Sequence, residues 1–287
     1  MSLLDDLMDG LEDDAPILRA PFGYPGGKSR SVRHILPLLP YRNIYVEPFG
    51  GSGAVILARR PSPVEVFNDR YAGVVAFYRV IRDPVKLKSL CERLELTVHA
   101  REEWLYAKQT WKNCADDVER AALWYYMTYY SFACLGRHFG RATTSSALAG
   151  KIHNKLKYFH TIHNRFRTIQ VENQDWRRCI HDYDNEEAVF YLDPPYLAVH
   201  EGAYSHTMTH DDHRELLVTI FNMKAFVAIS GYSNPLYENQ PWDSRHEWES
   251  HVSLTPAGDI KGNRKEHLVP VTKRERAAEV LWIKESQ

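Results

Sequence analysis

Cysteine is scarce in this 287-residue chain: Cys91, Cys114, Cys134 and Cys179 stand far apart and form no CxxC pair. That spacing argues against a disulfide framework and a structural zinc site, and it fits a reducing compartment. Apolar runs long enough to cross a bilayer are missing, so no membrane-spanning helix is expected. The opening stretch has no basic region; it carries Asp5, Asp6, Asp9, Glu12, Asp13 and Asp14. Residues 1–15 therefore read as a solvated acidic leader rather than a signal peptide. Excess charge is absent too, since 36 Lys and Arg against 37 Asp and Glu leave a net charge of −1. One absence is local. No Asp or Glu occurs from Arg137 to Arg167, a stretch that holds Arg137, Arg141, Lys151, Lys155, Lys157, Arg165 and Arg167 with four histidines. Screening limits the reach of charge to ~8–10 Å, so a phosphate backbone senses this stretch and not the sum.

Three well-known signatures are also missing. Gly23-Tyr24-Pro25-Gly26-Gly27-Lys28-Ser29 is one residue off the phosphate-cradling GxxxxGK[ST], which would need glycine at Phe22, and no strand precedes it. Its glycines still imply close backbone approach, with Lys28 as a mobile cation beside it. Phe49-Gly50-Gly51-Ser52-Gly53 lacks the GxGxxG order and the third glycine of a pyrophosphate site. The His206-to-His213 cluster lacks HExxH; Thr209 or His210 ahead of Asp211-Asp212 reads instead as a helix N-terminus. No metal is expected.

What is present is an α/β rhythm. Ile44-Tyr45-Val46-Glu47 reads as a buried strand, followed by the glycine-rich turn and a helix from Ala54 to Arg60. Val64 to Phe67 is a second strand ended by Asn68-Asp69, and Tyr71 to Ile81 a helix. Asp69 lies about 20 residues past the turn, where an acid can take the two ribose hydroxyls of an adenosine. Glu47, at the first strand's end, suits a cationic group such as an α-amino group. Residues 84–133 look all-helical, with Trp104, Trp111 and Trp124 on apolar faces. A polar loop over 134–150 and a helix over 152–166 follow. The α/β rhythm resumes at Ile169-Gln170-Val171, with Asp175 and Trp176 behind it. Strands are expected at Ala188–Leu192, Ala225–Ile229, Trp248–Leu254 and Glu279–Ile283, and a helix at His210–Phe221. The chain thus reads as a catalytic α/β unit over 16–83 and 167–287, interrupted by a helical insert over 84–166.

Asp193-Pro194-Pro195-Tyr196 ends the apolar run Ala188–Leu192. Two prolines stop the strand and stiffen the turn. They fix a carboxylate, backbone carbonyls and an aromatic face at a strand's carboxyl end, where ligands bind in open α/β sheets. Acceptors beside an aromatic plate suit an exocyclic amino group on a flat ring. Taken alone, the tetrapeptide also reads as a plain turn.

Taken in order, Tyr24-Pro25-Gly26-Gly27-Lys28, Glu47 through Gly53, Asn68-Asp69, Asp175-Trp176 and Asp193 through Tyr196 resemble the Dam-type (D12, alpha-class) DNA adenine-N6 methyltransferases. The position of the insert matches, and Arg264 to Trp282 looks like the family's C-terminal hairpin. The resemblance covers roughly residues 20–284 and implies a Rossmann-like methyltransferase sheet with an inserted, mainly helical target-recognition domain. It implies S-adenosylmethionine as methyl donor and a flipped-out adenine of double-stranded DNA as acceptor. Tyr24, where the family often has Trp, and Lys28 would lie beside the cofactor. Glu47, Phe49 and Gly51 would hold its methionine portion, Asp69 its ribose, and Asp175 with Trp176 its adenine. Asp193, Pro194 and Tyr196 would hold the target base. Arg137, Arg141, Lys151, Lys155 and Lys157 are the candidates for phosphates or guanine edges.

The insert departs from the family. Phe139-Gly140-Arg141-Ala142-Thr143-Thr144 stands where an Asn- and Phe-containing pattern ending Pro-x-Gly is usual, so no particular target sequence carries over. The expectation is a cytoplasmic protein of a bacterium or its phage, monomeric on DNA and solitary, phage-borne or paired with a cognate restriction endonuclease. The alternatives are the same chemistry on RNA adenine or protein glutamine, and an inactive DNA-binding relative.

Overall fold

The computed structural model describes residues 18–141, 151–197, 208–251 and 276–286. The acidic leader, Ala142–Gly150, His206-Thr207, Leu254 and the Arg264–Glu266 part of the expected hairpin lie outside the described residues.

The sheet has seven strands: β1 (Ile44–Glu47), β2 (Val64–Asn68), β3 (Gln170–Glu172), β4 (Ala188–Leu192), β5 (Phe226–Tyr232), β6 (Ser244–His251) and β7 (Arg276–Lys284), in the order β3-β2-β1-β4-β5-β7-β6. The first five are parallel, and β7 runs antiparallel between β5 and β6. Alternate residues feed two cores. Tyr45, Phe67, Val189 and Tyr191 join one apolar cluster; Val46, Val66, Phe190 and Leu192 join the other. Burial on both faces is why these strands read as unbroken apolar runs. From β1 the chain goes to β2 and β3 on one side, then returns to β4 and β5 on the other. That reversal places a switch point at the carboxyl end of β1, where α/β sheets leave a crevice.

Helices cover the sheet where the sequence breaks its alternation. Ala54–Ala58 is shorter than expected, ending before Arg59 turns extended. Ala72–Ile81 follows β2. Pro84–Glu95 starts with proline in its first turn and Asp83 as cap, the carboxylate accepting from the Val85 and Lys86 amides. Arg101–Thr110, Asp117–Tyr129 and Lys151–Phe166 complete the helices between β2 and β3. Trp104, Trp111 and Trp124 are buried there, and these helices share one continuous core with the sheet face carrying Phe67. In Lys151–Phe166, Ile152, Leu156, Phe159, Ile162 and Phe166 form the buried stripe while His153, Lys157 and His160 are exposed.

Three strands start or end well away from the expected bounds; β7 begins at Arg276, three residues before Glu279. β5 continues past Ile229 to Tyr232 because β7 pairs along its whole length. β6 starts at Ser244, earlier than Trp248, paired residue for residue with β7.

Candidate active site

Four parallel strands discharge into one place. Glu47 is the last residue of β1; Asp69 follows β2, Asp175 follows β3 and Asp193 follows β4. They surround a cavity of about 300 Å³ whose lining includes Tyr24, Lys28, Glu47, Phe49, Gly51, Asp69, Asp175, Trp176 and Asp193. Residues up to 188 positions apart in sequence, Tyr24 and Asp212 at the extremes, thus meet at the switch point.

The glycine turn is shaped by what crowds it. A Cβ at Gly50 would stand 2.2 Å from the Phe67 ring, so only glycine lets the turn sit down on β2. Gly51 has φ +52, a left-handed conformation that costs other residues ~1–2 kcal/mol. It lies against the Tyr24 ring. The Gly51 amide donates to Asp69 Oδ2 at 2.7 Å, and the Tyr71 amide donates to Oδ1 at 2.7 Å. Burial raises the Asp69 carboxyl to about 6, with these two amides acting the other way. Glu47 is more extreme: burial pushes it up to about 8, although the Tyr45 hydroxyl donates to it at 2.8 Å. A buried acid with a raised affinity for protons is a group that a cationic or hydroxyl-bearing ligand would satisfy.

At the far end Trp176 is buried, with Phe49 at 6.4 Å and a 34° interplanar angle. Asp175 caps the Trp176–Tyr183 helix by accepting from the Arg177 amide. The Arg177 guanidinium lies 4.4 Å from the Trp176 ring centroid and is held by Asp212 at 2.8 Å and Glu215 at 2.5 Å. Arg177, Met208 and Asp212 also line the cavity, and sequence reasoning missed them. Arg177 is adjacent to the predicted Trp176, but nothing local says that its partners lie on the His210–Asn222 helix.

Asp193 forms the cavity floor. Its Oδ2 accepts from Lys28 Nζ at 2.7 Å, and its side chain is 19% exposed against 5% for Lys28. The carboxyl is therefore reachable while its counter-ion is sealed. Burial raises the Asp193 proton affinity and the Lys28 ammonium opposes that shift. The expectation of a mobile Lys28 is corrected here. Its ammonium is fixed between Asp193, the Gly26 carbonyl at 2.8 Å and Glu279 at 3.3 Å, and desolvation of all partners leaves no gain in swinging away. Pro194 and Tyr196 line a smaller recess beside the cavity, together with Tyr232 and Asn234. The Tyr196 ring has Lys28 Nζ 5.0 Å from its centroid and Tyr232 edge-on at 4.8 Å.

The histidine cluster resolves as protein architecture. Thr209 caps His210–Asn222 in a reciprocal capping box with Asp212. His213 is buried; its ring meets the Tyr237 hydroxyl at 2.7 Å and the Pro195 carbonyl at 3.0 Å. Burial lowers His213 to about 4, so at neutral pH the neutral ring donates from Nε2 to Pro195 and accepts from Tyr237. It thereby steadies the double-proline turn, a role the sequence did not announce.

The basic stretch divides. Arg137, Arg141 and Lys157 are exposed and Lys155 is half-buried beside Tyr158; the Lys151 side chain lies outside the described residues. Arg165 is different. It forms a buried ion pair with Glu65 and donates to the Ile56 carbonyl at 2.7 Å, fastening its helix to β2. Arg137 sits in the turn from Ser131 to Phe139, which is closed by the Phe132 amide on the His138 carbonyl and the Gly140 amide on the Tyr130 carbonyl.

A five-stranded parallel sheet extended by an antiparallel pair, with acids gathered at its switch point, defines a Rossmann-like methyltransferase fold. The profile of the D12 class N6 adenine-specific DNA methyltransferase family matches residues 24–252, and the chain belongs to that family. A protein of Escherichia phage P1 named DNA N-6-adenine-methyltransferase is 26% identical over 185 residues, covering 62% of this chain and 24% of its own length. The chain thus spans about a quarter of that relative. Among the described residues, no helix is long and apolar enough to cross a membrane.

Proposed function

We propose that this protein is a site-specific DNA methyltransferase that moves a methyl group from S-adenosylmethionine to N6 of a flipped-out adenine in double-stranded DNA. The observation that carries the reading is the Asp193 carboxylate, held by Lys28 and lining the cavity at 19% exposure. Adenine's amino lone pair is delocalised into its ring and attacks poorly. Asp193 and the Pro194 carbonyl would accept the two amino protons, draw the nitrogen towards tetrahedral geometry and stabilise the positive charge that develops on it. S-adenosylmethionine would supply the methyl and be left as a neutral thioether, while Asp193 would hold the amino group as its extra proton passes to solvent.

The cavity's chemistry suits the donor. Glu47 would hold the cationic amino group, with Phe49 and Gly51 shaping the methionine end beside Tyr24 and Lys28. Asp69 would take the ribose, and Asp175 with Trp176 the adenine. S-adenosylmethionine, when bound, supplies an activated methyl on a sulfonium. No metal enters this reading. A base inside a duplex cannot reach the floor and must leave the stack, and Tyr196 would support its face. Arg137, Arg141, Lys151, Lys155 and Lys157 would meet the DNA from the insert over 84–166, on a monomer.

The test is incubation with methyl-labelled S-adenosylmethionine and duplex DNA, RNA or protein in parallel. Label recovered as N6-methyladenine from duplex DNA is expected. No label in DNA, or label confined to RNA or protein, would overturn the reading. Modification-sensitive sequencing of DNA from expressing cells would then give the target sequence.

A further inference from the structure

Glu279 heads an apolar run, Glu279-Val280-Leu281-Trp282, within β7. It is buried, opposite Tyr232 of β5 and Trp248 of β6. A carboxylate there is costly unless donors ring it. Four do. Ser31 Oγ donates at 2.6 Å, the Tyr196 hydroxyl at 3.0 Å, Trp248 Nε1 at 3.2 Å, and Lys28 Nζ stands 3.3 Å away. Ser31 and Trp248 are cement. Lys28 and Tyr196 are not only that, because both also bond Asp193.

One ammonium therefore serves two carboxylates, Asp193 on one side and Glu279 on the other. A lysine held by Asp193 alone would swing fully towards it, spread over its oxygens and weaken it as an acceptor. A second anchor opposite prevents that. The same anchor fixes the Tyr196 hydroxyl and with it the plane of the ring.

We propose that Glu279 is a positioning residue for methyl transfer: it holds Lys28 and Tyr196, the two side chains that also bond Asp193, and so sets how that carboxylate meets the substrate amino group. This rests on the adenine-methylation reading. The charged and titratable groups around it come from every neighbouring element: Lys28 from the segment before β1, Tyr191 and Asp193 from β4 with Tyr196 just after them, Tyr232 from β5, and Trp248 with its His34 stack from β6. The negative charge of Glu279 raises the Asp193 proton affinity while Lys28 lowers it. Losing that charge leaves Lys28 with Asp193 as its carboxylate partner, beside the Gly26 carbonyl.

The experiment is Glu279→Gln, which keeps shape and removes charge. Expected are a kcat lower by about tenfold or more, since misplacing a reacting group by about 1 Å can cost ~10²-fold. Cofactor Kd should stay within about twofold, and the acid limb of the kcat profile should move to lower pH. A wild-type kcat and pH limb, or an equal loss of cofactor affinity, would overturn the proposal. If this variant does not fold, Ser31→Ala decides. Removing that hydroxyl loosens Glu279, so kcat should fall at unchanged cofactor affinity, and an unchanged kcat overturns the role. If wild-type protein labels no DNA, the adenine reading falls by itself. Carboxyl ¹³C NMR titration of Asp193, which needs no turnover, then decides the coupling: its pKa should drop in Glu279→Gln, and an unmoved titration overturns the proposal.

Discussion

The cavity floor and the basic stretch from Arg137 to Arg167 both carry charge, but they hold it in opposite ways. On the floor, Lys28 is sealed at 5% exposure between Asp193 and Glu279, and each carboxylate has further fixed partners. On the insert, Arg137, Arg141 and Lys157 stand in solvent. Buried charge acts at short range in a low dielectric, is insensitive to salt and depends on geometry to fractions of an ångström. Exposed charge reaches further, is screened by salt and tolerates movement. The first suits bond-making and the second suits holding a polyanion. Arg165 marks the boundary, being part of the basic stretch by sequence yet committed inside to Glu65.

Substitutions on either side test this contrast. Asp193→Ala should lower methyl transfer by ~10²–10³-fold or more, the scale of losing one preorganised charge-stabilising group. Cofactor affinity should change little, as read by calorimetry, and full activity in this variant would remove Asp193 from the chemistry. Glu47→Gln probes the buried side through pH. The folded protein keeps the Glu47 proton up to about 8, whereas the ordinary value is 4.5. Between those values the folded state binds more protons than the unfolded one, so ligand-free stability falls as pH rises across that window. The variant should flatten this fall in a series of melting curves, and matching slopes in both proteins would count against a buried, protonated Glu47. The smallest effect belongs to the exposed side. Arg137→Ala or Arg141→Ala should each weaken DNA binding only several-fold, and taking away one phosphate-neutralising cation should reduce the salt slope by ~0.9. An unchanged slope would take that arginine off the DNA.

Much of this contrast was legible in the sequence, for physical reasons. The floor's acid lies in a contiguous turn whose prolines dictate its shape, and Glu47, Asp69 and Asp193 each end or follow an apolar run that reads as a buried strand. The sheet's centre followed from those runs. What escaped depends on partners that sequence keeps apart. Glu279 meets Ser31 across 248 positions and Tyr196 across 83. Its signal was one carboxylate heading an otherwise apolar strand, a residue type rarely buried without a partner. Arg177 escaped because its anchors sit 35 and 38 positions on, beyond any helical spacing. Lys28 lines the cavity but was read as mobile, since a lysine beside glycines looks solvent-facing until β7 is set behind it.

The strand order has a consequence in time. β7 slides between β5 and β6 although it is made after both, so a growing chain must leave that slot open until residues 276–284 leave the ribosome. Until then Ser31, Lys28 and Tyr196 have no Glu279 on which to converge. At ~5–20 residues per second, the stretch between the end of β5 at Tyr232 and Lys284 takes seconds to synthesise. The nascent chain is thus one whose cavity floor is closed by a strand made after the other six described strands of its sheet.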